Sequence, residues 1–189
     1  MARPRSENKR KLILHAAVQT IAEAGLDATT QSIARRAGVA QGTVFTYFTN
    51  KDDLLNQLYL ELKSQLRLTL AHSDEPKTLR DRVWMAWQAY VSWGVNHPSE
   101  HAVLAKLGLS SRISNETRNE GSRAFCDVSD LLEKARAGGA LSNQPVEFTA
   151  AVMGGMGDIT ISFMRSAPAT AEKTCLDGFN AFWNAVTKT

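Results

Sequence analysis

An all-α fold follows from three features of this 189-residue sequence. Apolar residues return at intervals of three and four, the spacing of one helical face. No stretch alternates apolar and polar residues as a half-buried strand would, and no internal repeat is present. Gly25, Gly38, Pro98, Gly138 and Pro145 stand between the periodic stretches, where helices stop and start. A content of 43% hydrophobic and 22% charged residues is that of a globular chain long enough to fold without disulfides or metal. The apolar runs are too short and too broken by charge to span a bilayer, and MARPRSENKRK lacks the apolar core of a signal peptide. A cytoplasmic location and no membrane partner are therefore expected. Cys126 and Cys175 have no metal or redox spacing and are expected to be reduced.

Taken in order, Ser6 is placed to cap a first helix running to about Ala24, with Ile13, Ala17, Ile21 and Ala24 inward and Gly25 as its stop. Thr29 or Thr30 caps a second helix. Ile33, Ala34 and Ala37 lie on its inner face, Val44, Phe45 and Phe48 serve that of a third, and Gly38 stands between them. A helix that ends and reverses within a few residues needs a positive φ, which glycine adopts without a Cβ clash. Ala34 is small enough for the third helix to cross closely, and Val39 and Val44 fill the angle. The segment TQSIARRAGVAQGTVFTY (30–47) thus has helix-turn-helix spacing, with the third helix as the recognition helix.

Asn50 caps a fourth helix, with Asp52 and Asp53 in its first turn and Lys51 beside its N-terminus, an arrangement suited to a phosphate. That helix continues to about Ala71 with Leu54, Leu55, Leu58, Leu62 and Leu66 inward, and a polar loop follows over 72–77. A fifth helix, from Thr78 to about Asn96, puts Trp84, Trp87 and Val91 on one face and Val83, Tyr90 and Trp93 on another. An element apolar on two faces belongs at the centre of its domain. Pro98 opens a sixth helix that ends near Leu109. The run 114–137 is predicted as one helix with Phe125, Val128, Leu132 and Ala135 inward. Pro145 opens another, through Met164, and the last lies between about Ala171 and Thr187.

The outward side of the third helix suits DNA. Gln41, Thr43, Thr46 and Tyr47 carry hydrogen-bonding groups on short or rigid stems, and Gly42 lets the backbone approach a phosphate. No acid occurs from Ala28 to Lys51. Residues 1–51 hold eight lysines or arginines against three acids, a balance of +5 that leaves −2 for the remainder of a chain whose net charge is +3. A basic head on a slightly acidic body is the footprint of a polyanion-binding unit, to which Arg3, Arg5 and Lys9 would add sequence-independent attraction.

The segment IARRAGVAQGTVFTYFTNKDDLL (33–55) resembles the signature of the TetR family of bacterial transcriptional regulators, in which an Ile-Ala, an Ala-Gly-Val, a Gly-Thr, a Tyr-x-x-Phe and a Lys followed by acids and leucines recur. The resemblance covers about the first sixty residues. It implies a helix-turn-helix DNA-binding domain over 1–52 and a helical effector-binding and dimerisation domain over 53–189, about nine helices in all. It also implies a two-fold homodimer joined by the last two helices. The family's pattern carries DNA contact to Thr30, Ala40, Gln41, Gly42, Thr43, Phe45, Thr46, Tyr47 and Lys51. Phe45 departs from it, standing where the family usually has a phosphate-touching tyrosine, so that contact is either missing or made by Tyr47. A likeness of MARPRSE and WGVNHPSEHAVLAKL to drug-responsive repressors of the family implies a role in efflux or drug response.

Three signals in the body remain. Aromatics at helical spacing are usually core, but three tryptophans within ten residues also suit a wall for a flat or greasy molecule. The candidate ligand residues are Trp84, Trp87, Tyr90 and Val91, with Tyr59, Met153, Met156 and Asp158 as companions. Asp158 falls in an apolar stretch where a carboxylate needs a partner, either Arg165 or a cationic ligand. GGMGDIT (154–160) has neither a preceding strand nor phosphate-loop spacing, so its glycines point to close helix contact, with a kink or a ligand gap as the alternatives. His97 and His101 are four apart, but Pro98 lies between them and no third ligand follows, so no metal is expected. No cofactor is expected either, and no nucleophile, base and orienting residue converge as an enzyme would need. The expected function is a homodimeric repressor released from a palindromic operator by a small hydrophobic or aromatic effector. The rival is an architectural DNA binder with no effector.

Overall fold

A computed structural model describes residues 6–70 and 78–187 of the chain. The polar loop expected at 72–77 and the basic residues Arg3 and Arg5 lie outside them. Among the described residues there are ten α-helices and no strand. They are α1 (Glu7–Ala24), α2 (Thr30–Arg36), α3 (Gln41–Tyr47), α4 (Lys51–Thr69), α5 (Leu79–Asn96), α6 (Pro98–Leu109), α7 (Asn115–Arg123), α8 (Cys126–Ala135), α9 (Val146–Ser166) and α10 (Ala171–Val186), with a 3₁₀ turn at Pro168–Thr170.

The chain divides into two compact units. The first takes residues up to Ser64 together with Pro98–Gly121, and the second takes Gln65–His97 together with residues from Ser122 onward. The first unit has an aliphatic core: Ile13, Ala17 and Ile21 of α1, Ile33 and Ala34 of α2, Val44 of α3, Leu54, Leu55 and Leu58 of α4 and Val103 and Leu107 of α6 are all buried. Arg10 of α1 is fixed over α4, its Nε donating to Gln57 Oε1 (3.3 Å) and its Nη1 lying 3.6 Å from Glu61 Oε2. The loop from α6 to α7 is tied to α4 through Asn56. Its Nδ2 donates to the Arg112 carbonyl (2.9 Å), and its Oδ1 accepts from the Ser114 amide (3.0 Å). Arg118 closes the end of α6 by donating to the carbonyls of Gly108 (2.5 Å) and Ser110 (2.6 Å).

The second unit has an aromatic core. Trp87 lies 5.9 Å from Phe182 in a stacked pair and 6.2 Å from Phe179, and its Nε1 donates to the Cys175 carbonyl (3.2 Å). Trp84 meets Phe179 edge-on at 5.0 Å. The connection from α8 to α9 is held by Arg136, which is 9% exposed. Its Nε and Nη2 donate to the Glu133 carboxylate (2.6–2.9 Å), while its Nη1 donates to the carbonyls of Leu141 (3.1 Å), Ser142 (2.7 Å) and Gln144 (2.7 Å).

Five expectations are corrected. The single helix over 114–137 is two, α7 and α8, which break around Phe125. The break follows the handover between cores. Gly121 packs against Tyr59 in the first unit, where an added Cβ would lie 2.8 Å from Tyr59 Cε1, and Leu131, Leu132 and Ala135 bury in the second. Ser6 makes no side-chain cap to α1; its amide donates instead to the Tyr47 hydroxyl (3.1 Å). Ala24 and Phe45 point outward, Phe45 being 47% exposed, because Val44 and Phe48 already fill the space beneath α3. Asp158 pairs not with Arg165 but with the Tyr90 hydroxyl, which donates to its Oδ1.

Candidate functional site

The helix-turn-helix is built by α2 and α3. Thr29 caps α2, its Oγ1 accepting from the Ser32 amide at 3.1 Å. Gly38 adopts φ 65°, and the Val39 amide returns to the Ala34 carbonyl at 3.0 Å, so the chain reverses at the end of α2 without stranding its last carbonyls. Ala34 and Val44 are buried where the two helices meet.

That packing leaves the other side of α3 uncovered. Ala40, Gln41, Gly42, Phe45 and Thr46 are exposed, while Thr30, Thr43 and Tyr47 are half-buried. Gln41 Nε2 donates to Thr30 Oγ1 (3.4 Å), which holds both on one surface, and Thr46 Oγ1 donates to its own helix at the Gly42 carbonyl (3.2 Å). The Tyr47 oxygen accepts from Ser6, leaving its own hydrogen to be donated elsewhere.

Lys51 opens α4. The helix start is capped reciprocally: Asn50 Oδ1 accepts from the Asp53 amide (2.8 Å), and Asp53 Oδ2 accepts from the Thr49 amide (2.7 Å) and hydroxyl (3.1 Å). Burial works against the Asp53 carboxylate, but hydrogen bonds from Gln57 and Thr49 prevail and hold it below the ordinary carboxylate range. Burial and then the neighbouring Arg112 push the Lys51 ammonium below its usual value. Of the other cations, Arg36 is paired with Glu23 and Arg10 with Glu7 and Glu61, whereas Lys9, Lys11 and Arg35 are exposed.

The residues singled out as a ligand wall are distributed differently. Tyr59 is buried in the first unit; Trp84, Trp87, Tyr90, Val91, Met153, Met156 and Asp158 belong to the second. Trp87 and Val91 are 0% exposed and Met153 is 7% exposed, so they form core. Burial, and then the bond to Asp158, raise the Tyr90 phenol far above its usual value and keep it a donor. Gly157 lets the edge of the Tyr90 ring approach α9 closely, since an added Cβ would come within 2.7 Å of it.

A half-open cleft of ≈ 430 Å³ lies instead on the opposite side of α5, between that helix, the end of α4 and the start of α8. Arg82, Met85, Gln88 and Ser92 of α5 line it, facing Arg67 and Leu131. No residue of the expected ligand wall borders it. The signal that could have found it is the spacing of 82, 85, 88 or 89 and 92, a second helical stripe of cationic, polar and small residues on a helix otherwise read for its aromatics. Among the described residues no group of three metal-ligating side chains occurs, and no helix is long and apolar enough to cross a membrane.

The fold and the exposed face of α3 define a helix-turn-helix DNA-binding protein. The family model described as "Bacterial regulatory proteins, tetR family" matches residues 13–58. The HTH-type transcriptional regulator BetI of Escherichia coli K12 is 42% identical over 171 residues, spanning 76% of this chain and 88% of that one. A tetR family transcription regulator from Shewanella sp. PV-4 superposes with a TM-score of 0.85 at 26% identity, covering 98% of this chain and 100% of that chain. FadR of Bacillus subtilis, solved with stearoyl-CoA, shares the fold with a TM-score of 0.65 at 22% identity, over 94% of this chain and 97% of its own. The chain belongs to the TetR family of bacterial regulatory proteins. It is a DNA-binding transcriptional regulator and not an enzyme.

Proposed function

We propose that this regulator is a homodimeric repressor, released from a roughly palindromic operator by a small effector. Residues 1–52 serve as the DNA-binding head and 53–189 as the effector and dimerisation body. The observation that carries the reading is the uncovered face of α3, which presents hydrogen-bonding side chains and no acid. Gln41, Thr43, Thr46 and Tyr47, with Thr30 beside them, reach base edges or phosphates in the major groove. Ala40 and Gly42 permit close backbone approach, Phe45 makes apolar contact, and Lys51 holds a phosphate at the start of α4.

Dimerisation is assigned to α9 and α10. Phe148, Ile159 and Phe163 of α9 and Leu176 of α10 are 47–62% exposed, forming an apolar stripe that a second copy would cover. Two recognition helices must then sit about 34–36 Å apart to enter successive major grooves. An effector bound in the body that favours another separation by a few kcal/mol suffices to release DNA. That FadR was solved with stearoyl-CoA supports an effector-binding body. Control of efflux or a drug response is the process that the sequence resemblance suggests.

Duplexes selected on the purified protein test the head. Tyr47→Ala and Lys51→Ala should abolish retention in gel shifts while sedimentation still reports a dimer; retention unchanged in both variants would refute the interface. Phe163→Glu should yield monomers that lose the duplex, and a dimer that persists would refute the α9 and α10 pairing.

A further inference from the structure

Resting on the effector reading above, we propose that the cleft between α4, α5 and α8 takes a small amphipathic carboxylate whose head is held by Arg82. Charge is the first reason. Arg82, Arg67 and Asp127 are the ionised residues lining the cleft. Asp127 is already engaged through both oxygens: Oδ2 accepts from Arg67 Nη2 (2.8 Å), and Oδ1 accepts from the Val128 amide at the start of α8 (3.0 Å). The guanidinium of Arg82 has no partner among the described residues. Among the described residues the cleft therefore presents one uncompensated cation, backed by the Arg67 donors that Asp127 does not use. A planar carboxylate fits such a fork, and a cation would be repelled.

Shape and polarity supply the rest. Beyond the arginines the walls are mixed: Met85, Ala86 and Leu131 are among the apolar residues, Thr69 stands on the α4 side and the hydrogen-bonding groups of Gln88 and Ser92 on the α5 side. A ligand charged throughout would leave the apolar walls wet, and one apolar throughout would strip water from Arg82 without return. A ten-carbon acid fits the space: even at the ~30 Å³ that a water molecule claims in the liquid, its dozen non-hydrogen atoms come to about 360 Å³.

Three probes of one chain length and different charge test the proposal: decanoate, 1-decanol and decyltrimethylammonium, each titrated calorimetrically below its aggregation limit. Decanoate should bind to the full-length protein, decanol about tenfold or more weakly, and the ammonium not at all. Arg82→Gln should lower decanoate affinity by about tenfold or more and leave decanol binding unchanged, with Arg82→Lys between. An unchanged melting temperature without ligand would show that the exposed substitution leaves the fold intact. No decanoate binding, equal affinity for decanol, or an unaltered Arg82→Gln titration would overturn the proposal. Duplex retention measured beside each titration separates it from the regulatory reading. Decanoate bound through Arg82 without release of DNA would retain the ligand class and defeat the effector role. Release by the neutral probe, unaffected by Arg82→Gln, would do the opposite.

Discussion

In the first unit a methyl group added at Gly42 would meet no atom within 4 Å, whereas in the second unit one added at Gly157 would come within 2.7 Å of the Tyr90 ring. The same residue type stands under opposite constraints. Around α3 the side chains marked by spacing lie on a bare surface where a ligand can reach them. Around α5 the aromatics marked by spacing lie inside, closed over by Phe179, Phe182 and, at the rim, Arg80, whose guanidinium sits 5.2 Å from the Phe179 ring. Spacing names the residues of a helical face, and whether that face meets solvent or another helix decides between binding and packing.

The contrast is broken most directly at Trp87. Trp87→Ala empties a fully buried site and frees the Cys175 carbonyl, so urea unfolding should report a loss of about 3–5 kcal/mol. An undiminished stability with weakened ligand binding would instead restore the pocket-wall role. Gly157→Ala should cost about 1–3 kcal/mol by overpacking against Tyr90. Gly42→Ala should go the other way, raising stability by up to ~1 kcal/mol through helix propensity while lowering duplex affinity in gel shifts. Two glycines that respond alike would erase the distinction.

The smallest effect concerns pH. Because the folded Asp53 carboxyl titrates below its ordinary range, its contribution is present above about pH 4 and disappears as pH falls through the lowered folded value. The stability advantage of the parent over Asp53→Asn, measured by urea melts from pH 7 to pH 3, should therefore shrink on acidification. An advantage that grows would reverse the sign assigned to this cap.

Much of the head was legible because its determinants are local. Gly38 had to take a positive φ, Asn50 had to cap α4, and Ala34 had to be small, each a demand that one residue meets within a few positions of itself. Phe45 escaped that logic, since helical spacing alone does not show that Val44 and Phe48 suffice to fill the core. In the body the determinants are distant in sequence. The partner of Asp158 is Tyr90, 68 residues away, and that of Trp87 Nε1 is Cys175, 88 residues away. The break between α7 and α8 carries no glycine or proline at Phe125, because it is imposed by two cores pulling on adjacent segments.

Arg136 gives the body an uneven stiffness. Three hydrogen bonds from Arg136 clamp the end of α8 to the approach to α9, and three more hold its guanidinium on Glu133, whereas the end of α4 meets α8 through the half-exposed contact of Arg67 with Asp127. A molecule wedged into the cleft thus pushes against one wall that is bolted to the stripe-bearing helix and another that hangs on a latch. Of the two fastenings, the half-exposed latch of Arg67 on Asp127 is the weaker.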